Sequence, residues 1–192
     1  MPSRSITAIT SLALLTLTAC GAYQPTMLVI GDSISIGYTP YLSDAYEVRH
    51  NELDEDANAN DTIWGITHLD AWLREPSYDC IIVNFGLHDM HNSDSLSGAP
   101  TPINEYIANL HSIIDTLKQR TNRLYWVTTT YAPKYSNALQ ESYNQAALMV
   151  MRNESVSLID LHAISLQHKP IDGVHYDSQA YEAFANFIME NL

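Results

Sequence analysis

Three residues of this chain are of the types that make up a nucleophilic relay. Ser33 lies in Gly31-Asp32-Ser33, directly behind the apolar run Met27-Leu28-Val29-Ile30, and Asp172 and His175 share the segment Asp172-Gly173-Val174-His175 near the C-terminus. A serine hydroxyl is a poor nucleophile at neutral pH until a neighbouring base takes its proton. Histidine titrates near neutrality and suits that task. A carboxylate three residues before it can fix the imidazole's tautomer and stabilise its charged form. Each segment alone reads as an ordinary turn, because Gly, Asp and Ser are common turn formers. Together, in the order Ser, Asp, His, they predict acyl transfer through Ser33, with His175 as general base and Asp172 as its partner.

Acyl transfer also needs hydrogen-bond donors aimed at the oxyanion of the tetrahedral intermediate. The candidates are the backbone N–H of Ser33, a backbone N–H in the loop after the second strand, and a side chain in Asn84-Phe85-Gly86-Leu87-His88-Asp89. His88, Asp89 and His91 are too loosely spaced to read as a metal motif, and no Cys-rich motif is present. No metal or other cofactor is expected.

The elements that must position these groups alternate along the chain. Strand-like runs fall at Met27 to Gly31, Tyr46 to His50, Cys80 to Phe85, Arg123 to Thr130 and Val156 to Asp160. Between them, helical spacing marks Thr62 to Arg74 and a long helix opened by Pro102, with Ile103, Ile107, Leu110, Ile114 and Leu117 on one face. Asn137 to Arg152 and Ser178 to Leu192 are two more helices, the last with Ser178 as its expected cap. A helix after Ser33 is expected to be cut short by Gly37 and Pro40. This alternation predicts a parallel sheet with helices on both faces. The functional crevice of such a sheet lies at the carboxyl ends of its strands, which gathers Ser33, Gly86 to Met90, Tyr131 to Tyr135 and the Asp172–His175 loop on one edge. Glu52 to Asp61 reads as a solvated acidic loop rather than a cation site, and His91 to Pro102 as part of a rim over the cleft.

The chain has 192 residues and a formal net charge of −13, enough length for one domain with a real core. Residues 1–19 read as a signal peptide: Arg4, then an apolar, Thr-rich stretch too short to span a bilayer comfortably. They end in Leu17-Thr18-Ala19-Cys20, which resembles the bacterial lipobox and makes Cys20 the lipidation site; an ordinary secretory signal is the alternative. Gly21 is not the aspartate that resembles an inner-membrane retention signal, which favours an outer membrane. The expected location is the bacterial cell envelope, lipid-anchored, with a secreted or periplasmic protein as the alternative. Residues 20–192 form the single catalytic domain. Losing Arg4 moves the charge from −13 to −14, and such a surface disfavours nucleic acid and anionic lipid as partners. Cys80, within Cys80-Ile81-Ile82-Val83, reads as a buried structural thiol.

On Gly31-Asp32-Ser33-Ile34-Ser35 and Asp172-Gly173-Val174-His175 the chain resembles the SGNH/GDSL hydrolases, the GDSL-like lipases and acylhydrolases, across nearly all of residues 20–192. The resemblance implies an α/β fold, a three-layer α/β/α sandwich of flavodoxin-like type with a five-stranded parallel sheet. It also implies ester hydrolysis without a metal, with Ser33 as nucleophile. Gly86-Leu87-His88-Asp89 stands where the family has Gly-x-Asn-Asp, so His88 takes the place of the oxyanion asparagine. That form is similar to a bacterial subgroup, which Trp126-Val127-Thr128-Thr129-Thr130 and Tyr143-Asn144 also resemble. In the second block Asn60, in Asn60-Asp61-Thr62, matches the family's oxyanion glycine, with Gly65 as the alternative. Asparagine tolerates the left-handed backbone that glycine otherwise supplies.

The expected protein is an exported serine esterase that works through an acyl-enzyme on small acyl groups, such as acetyl, carried by carbohydrate. A lysophospholipase or thioesterase is the alternative substrate class. A non-hydrolytic glycan-binding module and an acyltransferase are the readings from other classes. Tyr131, Tyr135 and Tyr176 are expected near the cleft as sugar platforms, acyl-channel lining or packing residues.

Overall fold

The computed structural model describes residues 23–51, 58–90 and 100–192. The leader, Cys20 and the interiors of the acidic and rim loops lie outside the described residues. Five strands form one parallel sheet in the order β2-β1-β3-β4-β5: β1 Thr26–Ile30, β2 Glu47–His50, β3 Cys80–Val83, β4 Leu124–Val127 and β5 Ser157–Ile159. The chain moves from β1 out to β2, then crosses back to build β3, β4 and β5 on the other side. The order therefore reverses beside β1, and an open α/β sheet has its crevice at such a point, beyond the carboxyl ends of the strands. Ser33 follows β1 directly.

Burial follows strand position. Met27–Ile30 of β1 and all of β3 are at most 1% exposed, which fits central strands covered on both faces and explains their unbroken apolar runs. At the edge, β2 alternates exposed and half-buried residues. Helices α2 (Thr62–Trp72), α3 (Ile103–Leu117) and α4 (Asn137–Asn153) pack in sequence along one face, while α1 (Ser33–Tyr38), α5 (Leu161–Ser165) and α6 (Ser178–Glu190) pack together on the other. Three layers result. Cys80 is buried in β3, and burial pushes its thiol up to about 11, which leaves it inert.

Several boundaries differ from the sequence reading, each for a local reason. β1 ends at Ile30 because the Gly31 N–H turns to the side chain of Asn51 at 2.8 Å. β4 ends at Val127, three residues before Thr130, because β5 stops at Ile159 and Asp160 starts a helix instead. That helix, α5, is absent from the sequence reading; at five residues it is too short to show a period. Asp177 rather than Ser178 caps α6, its carboxylate accepting from Ala180 N–H at 2.9 Å. Gly37 and Pro40 do limit α1, which is six residues long and passes into a 3₁₀ turn over Thr39–Tyr41.

Candidate active site

The site is built outward from the turn after β1. Asp32 caps α1, its Oδ1 accepting from Ile34 N–H at 2.9 Å, so Ser33 is the first residue of the helix. An N–H at that position has no acceptor within the helix and is left for another partner. A Cβ on Gly31 would lie 2.8 Å from Ser35 Oγ, so glycine is required where helix and strand approach each other. Asp32 is buried, and desolvation raises its carboxyl above the ordinary range in spite of the bond it accepts from Ile34 N–H. His88 is half-buried in the turn that follows β3, the strand paired with β1.

The structure brings Ser33, His175 and Asp172 together. Ser33 Oγ lies 2.8 Å from His175 Nε2, and His175 Nδ1 lies 2.7 Å from Asp172 Oδ2. A carboxylate accepts only, so Nδ1 carries the proton and Nε2 is left to take the serine's. Asp172 Oδ1 also accepts from the N–H groups of Val174 and His175, at 2.9 and 2.7 Å. The bond to the His175 ring, with those two amides, holds the Asp172 carboxyl well below the usual carboxylate range. The loop closes through Ile171 N–H to His175 O at 2.7 Å, and Gly173 takes φ +91° at its bend. Ser33 and the Asp172–His175 pair are 142 and 139 residues apart along the chain but meet at the sheet's carboxyl edge.

The second-block residues behave differently from one another. Asn60 has φ +53°, the left-handed conformation expected of a glycine substitute, but its N–H donates to Asn58 Oδ1 at 2.9 Å. Oxyanion binding there requires that bond to open. Gly65 is not available: it lies in α2, its N–H donates to Asp61 O at 2.9 Å, and a Cβ would meet the Phe85 ring at 2.6 Å. Gly65 is a packing glycine that lets α2 lie on the sheet. Among the described residues no group of three or more His, Cys, Asp or Glu side chains is arranged to hold a metal.

Two braces are invisible in the sequence. Asp89, fully buried, accepts from Thr62 N–H at 3.1 and 3.2 Å and from Thr62 Oγ1 at 2.6 Å, tying the turn after β3 to the start of α2 and hence to Asn60. The other runs from the end of β2. Ser35 Oγ lies 2.7 Å from Asp32 O and 2.6 Å from His50 Nε2. The serine has one proton and the carbonyl only accepts, so His50 donates from Nε2 and its buried Nδ1 is bare, with no partner among the described residues. Burial pushes this imidazole down to about 4, keeping it neutral. The turn carrying Ser33 is thus held by His50 at the end of β2, by Asn51 just after it, and by Ala59 N–H, which donates to Gly31 O at 2.9 Å. No spacing rule connects these residues.

Of the three tyrosines, Tyr176 is buried and its hydroxyl donates to the carbonyl of Tyr131. Tyr135 is half-buried against the core, and Tyr131 is half-buried and lines a cleft beside α4.

A family model described as GDSL-like Lipase/Acylhydrolase family matches residues 29–183. No curated protein matches the chain in sequence. Among solved structures, an acetylxylan esterase from Geobacillus stearothermophilus superposes with a TM-score of 0.68 at 14% identity, covering 87% of this chain and 93% of its own. A lipase/acylhydrolase from Enterococcus faecalis gives 0.65 at 18% identity, covering 86% and 94%. An acetyl xylan esterase called AlAXEase gives 0.67 at 17% identity, covering 85% and 98%. At these identities the likeness is one of fold.

Proposed function

This chain belongs to the GDSL-like lipase/acylhydrolase family and is an ester hydrolase of the SGNH type, and from that premise we propose that Ser33, His175 and Asp172 carry the reaction. The observation that supports this most directly is the unbroken relay from Ser33 Oγ to His175 Nε2, 2.8 Å, and from His175 Nδ1 to Asp172, 2.7 Å. Ser33 Oγ attacks the ester carbonyl while its proton passes to His175 Nε2. The tetrahedral oxyanion is met by Ser33 N–H and the His88 ring N–H, and by Asn60 N–H once it leaves Asn58. Collapse expels the alcohol, which takes the proton from His175 and leaves Ser33 acylated. Water, deprotonated by the same imidazole, then releases the acid and restores the serine. Asp172 holds the ring's orientation and stabilises its cation throughout.

The substrate in this reading is a carbohydrate bearing small acyl groups, acetyl first. It draws on the Gly86-Leu87-His88-Asp89 sequence and on a fold shared with two proteins named as acetylxylan esterases. Export and a lipid anchor at Cys20 rest on the sequence Leu17-Thr18-Ala19-Cys20; among the described residues no helix is long and apolar enough to cross a membrane. The test is hydrolysis of a series of activated esters from acetate to decanoate by wild type and Ser33→Ala. The relay predicts a loss of at least ~10³-fold in kcat for the variant, and the acetyl reading predicts a rate that falls with chain length. A Ser33→Ala protein at the wild-type rate overturns the mechanism; a preference for long chains overturns the carbohydrate reading in favour of a lysophospholipase or thioesterase.

A further inference from the structure

Beyond β4, away from Ser33, a cavity of about 390 Å³ opens between α4 and the corner where β5 turns into α5. Its size falls in the range of small-ligand pockets, about 300–1,000 Å³. The relay just described uses none of its polar side chains. From α4, Glu141 and Gln145 face it on successive turns; Asp160 and His162 come from the β5–α5 corner, and Tyr131 lines it as well.

The protons of these groups can be assigned. His162 Nδ1 lies 3.0 Å from Thr129 O, a pure acceptor, so Nδ1 donates there and in the neutral ring Nε2 is the acceptor. Asp160 Oδ1 already accepts from Thr128 Oγ1 at 3.1 Å and Ala163 N–H at 3.2 Å, which leaves Oδ2 for a ligand. The Gln145 amide both donates and accepts, and Glu141 accepts. The Tyr131 ring stands edge-on to His162 with centroids 6.4 Å apart, and Leu148 of α4, Leu158 of β5 and Leu166 just after α5 supply apolar surface.

This combination has a chemical signature. The described lining contains two carboxylates and no lysine or arginine, so it disfavours phosphate, sulfate or uronate groups. Its acceptors outnumber its donors and sit beside apolar and aromatic surface. A sugar ring matches that: hydroxyls that donate to carboxylate and imidazole and accept from an amide, with C–H faces for leucine and tyrosine. The cavity also shares the sheet's carboxyl edge with the relay. Two to three strand spacings of ~4.8 Å separate it from β1, roughly 10–15 Å in all. The segment between them touches the triad loop directly, because the carbonyl of Tyr131 accepts from Tyr176 and Lys134 N–H donates to Gly173 O at 3.2 Å.

We propose that this cavity is a subsite for an unacylated, neutral sugar unit of the same carbohydrate chain whose ester reaches Ser33. It rests on the carbohydrate reading above and adds to it a second point of attachment, so that the polymer is held at the cavity while its acyl group is presented to the nucleophile.

The test separates binding from turnover. Ser33→Ala protein is titrated with unacetylated xylotetraose and cellotetraose, up to about 20 mM, while backbone amide resonances are followed. Selective shifts at Tyr131, Gln145 and His162 are expected with at least one of them, weakened about tenfold by the pair Glu141→Ala and Gln145→Ala. Both positions are exposed on α4, so folding is not at risk. In the active protein the same pair is expected to raise KM for acetylated xylo-oligosaccharide about tenfold, with hydrolysis of a small activated acetate unchanged. Absence of selective shifts, equal shifts in the substituted protein, or shifts produced by an alkylammonium salt but not by sugar would each overturn the subsite. If the sugar shifts appear but wild type leaves acetylated oligosaccharide intact, the substrate reading fails and the sugar site stands. Turnover of acetylated oligosaccharide without those shifts upholds the substrate reading and removes the subsite.

Discussion

Asp89 offers a quantitative test of how the two oxyanion segments are held. Its carboxylate has no solvent exposure and receives the N–H and hydroxyl of Thr62. These donors favour the charged form, but burial outweighs them and pushes the group up to about 6. The same carboxyl in an unfolded chain titrates near ~3.9. Folded protein therefore binds more protons than unfolded protein between about pH 4 and 6, and this residue's contribution to stability falls as pH rises through that window, then levels off. The full effect is about 3 kcal/mol, of which about 2 kcal/mol falls between pH 4.5 and 7.5. Asp89→Asn keeps the shape and one oxygen for Thr62 while removing the titration. Urea unfolding of both proteins at the two pH values, compared as a double difference, cancels every other titrating group. The variant is expected to gain about 2 kcal/mol on wild type from the lower to the higher pH. Parallel pH dependences would refute the claim that desolvation wins over hydrogen bonding at Asp89.

Substitutions at two further positions probe the frame. If His50 Nε2–H orients the Ser33 turn through Ser35, His50→Leu should lower kcat about tenfold at unchanged KM, whereas His50→Gln, which keeps a donor there, should stay within about threefold of wild type; steady-state kinetics on a small ester decide, and equal losses in both variants would reduce His50 to a packing residue. Gly65→Ala puts a Cβ 2.6 Å from the Phe85 ring and should cost about 1–3 kcal/mol in urea unfolding; a neutral result would mean that α2 has room to move off the sheet.

What could be read from the sequence depended on how far each feature's cause extends along the chain. Strand alternation and the long apolar face of α3 are periodic, so the layering and the parallel sheet were legible. Ser33 sits in a short local motif at a strand end and the Asp172–His175 pair in another near the C-terminus, and the two motifs taken together suggested a relay. Gly65 misled because glycine serves both open loops and close helix packing, and only the Phe85 ring beneath it tells the two apart. The short α5 carries no period, and its Asp160 cap resembles any strand-ending aspartate. His50–Ser35 and Asp89–Thr62 depend on side-chain contacts across strands and loops, for which linear spacing has no signal. The Asn58 bond that occupies the Asn60 N–H belongs to the same kind: φ could be anticipated from residue type, but the hydrogen-bond partner could not.

The acid–base pair is half open to solvent, with 53% of the Asp172 side chain and 41% of the His175 side chain exposed. Among the described residues no closed chamber surrounds the imidazole, so an acyl group resting on Ser33 would face bulk water on that side. Any alcohol competing for that acyl group has to be held in place, at a high local concentration, to beat the solvent. The open edge of the described residues therefore biases the partition of the acyl-enzyme toward hydrolysis, and it leaves the acid–base pair accessible from the side to a bulky polymer.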